Sequence, residues 1–146
     1  MREIDVYRHA EAPIEAVWTV ISDHRGYVGW AKIPSSELEV EGTPEPDGVG
    51  AIRCLGAPPL VAREQVVAFD PPHAMSYTIL SGLPVEGYRA DVVLETTSDG
   101  GTDIRWKGRF VAAPIGLTGV MRRILETALT QLADGAVREA ERRVRT

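Results

Sequence analysis

One change of hydrophobic period, near residue 116, restricts this chain more than any other feature. From there apolar residues fall at Leu117, Val120, Met121, Ile124, Leu125, Ala128, Leu129, Leu132, Ala136 and Val137. That is helical spacing, sustained over about 28 residues or about 42 Å of helix. The outward face carries Arg122, Arg123, Glu126, Gln131, Asp134 and Arg138, with Asp134 and Arg138 spaced for an i,i+4 pair. Upstream the period is mostly two. "SELEVEG" sets Leu38 and Val40 against Glu37, Glu39 and Glu41. "YRADVVLET" puts Tyr88, Ala90, Val92 and Leu94 on one face, and "TDIRWKGRFV" does so with Ile104, Trp106 and Phe110. Such alternation is what an antiparallel sheet with one wet face requires.

Turn chemistry divides these strands: "PEPDG" at 44–48, "DPPH" at 70–73 and "SDGG" at 98–101. Before them come a strand, "REIDVYRH", and the stretch "APIEAVWTVISDHRGYVGW" at 12–30. There Pro13 suits a first helical turn, and Ile14, Val17, Trp18 and Ile21 share a helical face. Ser22, Asp23 and Gly26 stop that helix, with Gly26 suited to a left-handed position, and an aromatic hook of Tyr27 and Trp30 follows. The order is strand, helix, six strands in a meander, long helix. The simplest way to bury every apolar face is an α+β fold with the last helix laid across a curved antiparallel sheet of about seven strands.

At 146 residues the chain fits one domain, 1–146, and 44% hydrophobic with 25% charged residues is ordinary for a globular protein. A net charge of −5 argues against a general nucleic-acid binder. The basic end "ERRVRT" is read as a complement to the helix dipole. Neither a secretory h-region nor an apolar run of about 18 residues is present, so a cytoplasmic protein without a transmembrane segment is expected. Cys54 is the single cysteine and reads as an inert, packed one. His9, His24 and His73 lack metal-ligand spacing, and neither a nucleophile motif nor a complete phosphate loop occurs, so no metal, cofactor or catalytic residue is assigned.

Three stretches, in this order and spacing, carry a resemblance over nearly the whole chain: "APIEAVWTVISDHRGYVGW", "REQVVAFDPPHAMSYTILSGLP" and "GGTDIRWKGRF". The sequence resembles the START-like (SRPBCC) superfamily of helix-grip proteins, in particular its polyketide cyclase/dehydrase and lipid-transport group. The resemblance implies that two short helices follow strand 1 and that an apolar cavity remains between sheet and long helix. Tyr27 and Trp30 would then plug or rim its mouth.

On that basis Tyr77, Tyr88 and Trp106 become candidate ligand contacts, although each is equally readable as core packing. Met121 and Leu125, with Ile124 and Ala128, would supply the helix wall. For Arg53 the register is ambiguous: Ala51, Arg53 and Leu55 face inward, or Ile52 and Cys54 do. The cost of burying an unpaired charge favours an outward Arg53, paired with Glu64. The expected function is binding of a lipid, isoprenoid or polyketide-like molecule. An aromatase/cyclase using Tyr77, Tyr88 and Arg53 is the alternative, and a protein-interaction module, of the coenzyme Q-binding-like, ribosome- or chaperone-associated kind, comes third. A weak homodimer is left open.

Overall fold

The computed structural model describes residues 2–146. Seven strands form one curved sheet: β1 (Arg2–Ala10), β2 (Ser36–Val40), β3 (Ile52–Ala57), β4 (Leu60–Asp70), β5 (Ala74–Ser81), β6 (Arg89–Thr96) and β7 (Thr102–Phe110). Their order is β1-β7-β6-β5-β4-β3-β2, antiparallel throughout, so first and last strands pair and the meander runs outward to β2. Helix α1 (Ile14–Ser22), a 3-10 turn (His24–Gly26) and α2 (Tyr27–Trp30) follow β1, and α3 (Thr118–Arg145) closes the fold. Among the described residues no helix is long and apolar enough to cross a membrane.

The period-two faces sort as their chemistry demands. Ala90, Val92, Leu94, Ile104, Trp106 and Phe110 are all buried, with Ile4 and Val6 of β1 beside them. Two expectations fail at the margins. Val40 is exposed, because β2 is an edge strand and its pairing with β3 shifts register between Leu38 and Val40. Gly26 has an ordinary right-handed φ of −72°. Helix α1 ends instead on extended Asp23, whose carboxylate accepts from the Arg25 N–H at 3.1 Å. What Gly26 supplies is room: a Cβ there would sit 3.3 Å from the Trp30 indole nitrogen.

Helix α3 lies against β1, β7, α1 and α2. Asp134 does not pair with Arg138; it reaches across to Arg8 of β1 at 2.6 Å. Glu141 accepts the Glu11 N–H at 2.8 Å, so the C-terminal half of α3 is fastened to the first strand and the loop after it. Small buried residues, Ala133, Gly135, Ala136 and Ala140, allow that close approach. Gly135 matters most, since a Cβ at that position would meet the Trp30 carbonyl oxygen at 2.7 Å. A glycine inside the long helix is thus the seat of the aromatic hook.

Candidate functional site: a pocket with a polar floor

Toward its N-terminal half α3 carries larger inward residues, Met121, Leu125 and Leu129, and there it makes little contact with β3, β4 and β5. A cavity of about 300 Å³ occupies the gap. Its walls are Leu55 of β3, Ile79 of β5, Leu83 beyond it, and Leu125, Ala128, Leu129 and Leu132 of α3. The segment after α2, Ala31 to Pro34, forms the rim, turned there by Lys32 in the left-handed region at φ 56°.

The floor is polar. Cross-strand register sets Arg53 of β3 directly opposite Glu64 of β4, and both point inward. This corrects the outward placement of Arg53: its side chain is fully buried, and the expected partner is buried with it. The cost of burial is offset by a hydrogen bond from Arg53 Nη2 to Glu64 Oε1 at 3.1 Å and by two aromatic faces. The guanidinium carbon lies 5.3 Å from the Tyr77 ring centre and 5.6 Å from that of Tyr27. Arg53 Nε and Nη1 have no hydrogen-bond partner among the described residues, which leaves them to the aromatic faces.

Burial pushes the Glu64 carboxyl above its ordinary range, against the opposing pull of Arg53. Burial also raises the Tyr27 phenol to about 12 and the Tyr77 and Tyr88 phenols upward as well. All three therefore stay protonated at neutral pH and keep a proton to donate. Tyr27 donates to the Ile21 carbonyl. Tyr77 accepts from Trp106 Nε1 at 3.1 Å, and no described residue accepts its own proton. The Tyr88 hydroxyl has no partner among the described residues. It fits because position 108 is glycine: a Cβ there would lie 3.0 Å from that hydroxyl and 3.0 Å from Leu129 Cδ1.

Of the residues singled out from sequence, Tyr77, Tyr88 and Leu125 line the pocket. Arg53 and Trp106 stand one layer behind, holding Glu64 and Tyr77. Met121 is buried near the start of α3, outside the lining. Trp30 and Tyr27 are also buried outside it, ring centres 4.9 Å apart, and they close one end from behind. Ile124 is exposed and lies outside the lining, and Ala128, one turn on along the same side of α3, reaches the pocket's wall instead. Sequence reasoning missed Glu64 as a pocket residue. The signal was there: Glu64 alternates with Val66 and Ala62 on β4, a charge on an apolar face.

A second buried pair was not visible in the spacing of histidines. His24 Nδ1 lies 2.5 Å from Asp47, with Asp23 close by. The pair satisfies itself and fastens the turn at 44–48 onto the 3-10 turn, whose His24 carbonyl accepts from Ser36 Oγ at 2.7 Å.

The model of the family described as polyketide cyclase / dehydrase and lipid transport matches residues 1–141. The chain belongs to that family. Among solved structures it is similar to the Zhui aromatase/cyclase of a Streptomyces species, at 19% identity, TM-score 0.79, covering 98% of this chain and 95% of that one. It is similar also to a protein of Nitrosospira multiformis, at 19% identity, TM-score 0.76, covering 99% and 100%. Norcoclaurine synthase of Thalictrum flavum, solved with dopamine and hydroxybenzaldehyde, matches at 18% identity, TM-score 0.75, covering 94% and 84%. At these identities the likeness speaks for the helix-grip fold alone. None of the curated proteins compared with the chain matches it.

Proposed function

We propose that this protein binds a single small, mostly apolar organic molecule in the cavity beneath the N-terminal half of α3. The carrying observation is the cavity itself: about 300 Å³, walled by leucine, isoleucine and alanine, with its buried polar groups converging at the floor. That combination is what ligand pockets share, at the small end of their size range. At about 30 Å³ for a water molecule's share of liquid, the space equals about ten waters. It suits a one- or two-ring compound or a short isoprenoid, and is too small for a two-chain lipid. Membership of a family described by polyketide cyclisation and lipid transport supports the same reading. Mass spectrometry of the natively purified protein should show an added organic mass, lost on denaturation. An Ala128→Trp variant, bulky at the wall, should carry none. Equal ligand content in the two proteins would refute the proposal.

A cyclase-type reaction in the same cavity is the second reading, favoured by one observation: Glu64 offers a carboxyl of raised pKa beside neutral phenols, at the pocket floor. Its test is turnover of a polyketide-like substrate that disappears in Glu64→Gln and Tyr88→Phe.

A further inference from the structure

Resting on the pocket reading above, the geometry points to a ligand of one class: we infer that its buried end is a neutral hydroxyl, phenolic or alcoholic, seated between the Glu64 carboxylate and the Tyr88 hydroxyl. The buried polar groups of the pocket lie at its deep end. Glu64 is 9% exposed, Tyr88 3% and Tyr77 2%, whereas Lys32, Ala128 and Gln131 at the opening are exposed.

Two things fix the chemistry. The first is the hydrogen-bond inventory. Tyr88 offers a proton that no described residue accepts, as does Tyr77. Glu64 takes the Arg53 bond on Oε1, and Oε2 has no described partner. An occupant that covers the floor must therefore both accept from a phenol and donate to a carboxylate, or leave buried polar atoms unpaired. A hydroxyl is the smallest group that does both. A ketone or ether accepts only, and an alkane does neither. The second is charge. Arg53 and Glu64 neutralise one another, and Lys32 at the solvent-exposed rim is the other charged side chain in the lining. A carboxylate at the floor would meet Glu64 with no cation free to pair it. An ammonium would find Glu64 already engaged by Arg53. Either ion would be desolvated without a counter-charge, which a neutral hydroxyl avoids.

The test uses four two-ring probes of nearly equal size on the whole protein at neutral pH: naphthalene, 2-naphthol, 2-methoxynaphthalene and 2-naphthoate, with affinities read by calorimetry. The expected order has 2-naphthol about tenfold or more tighter than naphthalene and 2-methoxynaphthalene, the gain of a charge-assisted hydrogen bond, with 2-naphthoate weakest. Tyr88→Phe should remove most of that advantage while leaving naphthalene affinity within about threefold, since only one partnerless hydroxyl is lost. Glu64→Gln should do the same. Where the unpaired Arg53 prevents that variant from folding, Tyr88→Phe carries the test alone. Equal affinity for naphthol and naphthalene, or a naphthol preference that survives Tyr88→Phe, would overturn the inference and leave the pocket standing. Failure of all four probes to bind would overturn the pocket reading and this inference with it.

Discussion

The two halves of α3 are built from one helix and do opposite things. From Ala133 onward its inward positions are alanine and glycine, it lies close on β1 and α1, and Arg8 and Glu11 are bonded to it. Before Leu129 its inward positions are leucine and methionine, its neighbours on β3 to β5 stand off, and a cavity opens. A gradient of side-chain size along one helix face thus makes a wedge. Helix-on-sheet packing closes where small residues let backbones approach, and at the other end large side chains prop it open with too few atoms to fill the space. The closed end should hold stability, and the open end should hold specificity.

Substitutions in the buried layer behind the pocket floor should have the largest effect. Arg53→Met leaves Glu64 buried without a partner and should cost about 3–5 kcal/mol. Adding Glu64→Leu should recover most of that loss, since a well-packed apolar pair replaces a buried ion pair at little or no cost. Urea midpoints of the two variants check it. Equal destabilisation of single and double variants would mean that the pair holds the sheet together by more than mutual neutralisation. Trp106→Ala is expected to be comparable, about 3–5 kcal/mol, because a fully buried ring is lost and Tyr77 loses its donor.

Gly135→Val sharpens the comparison at the closed end. The new side chain cannot avoid the Trp30 backbone, so a loss of about 1–3 kcal/mol is expected, with the Trp30 environment altered in near-ultraviolet circular dichroism. At the open end, Ala128→Trp adds far more volume but should change stability by no more than about 0.5 kcal/mol, because it grows into empty space from an exposed position. Uptake of an apolar fluorescent probe should be abolished by it and kept by Gly135→Val. The reverse pattern would dissolve the distinction between the two ends.

This difference in tolerance parallels what could be read from the chain. The closed side was legible because its signals are redundant: β6 and β7 alternate cleanly, and Ile104, Trp106 and Phe110 could face only one way. The pocket side was less so. On β3 both registers carry an apolar set, Ala51 with Leu55 or Ile52 with Cys54, and charge alone turned the choice toward an outward Arg53. That rule assumes an unpaired ion, yet Glu64 was already the expected partner, and its alternation with Ala62 and Val66 on β4 turns the pair inward together. Ile124 misled for a related reason. Helical period gives a face, but the helix buries only the narrower stripe of Met121, Leu125 and Leu129 there.

The smallest effect concerns the far end of the closed half. Arg142 and Arg143 both bond the Glu139 carboxylate, at 2.7 and 2.8 Å, and hold its pKa down to about 2. A lowered carboxyl pKa contributes stability that is complete above the unfolded value, near 4.5, and is lost as pH falls toward 2. The arginines are largely solvent-exposed, so the contribution is modest and screened by salt. Amide exchange in the last turns of α3 should therefore quicken between pH 4.5 and 2 relative to the first turns, and Glu139→Gln should show the fast rate throughout that window. Were the N-terminal turns to loosen first instead, the acid-sensitive contact of α3 would have to lie at the pocket rather than at Glu139.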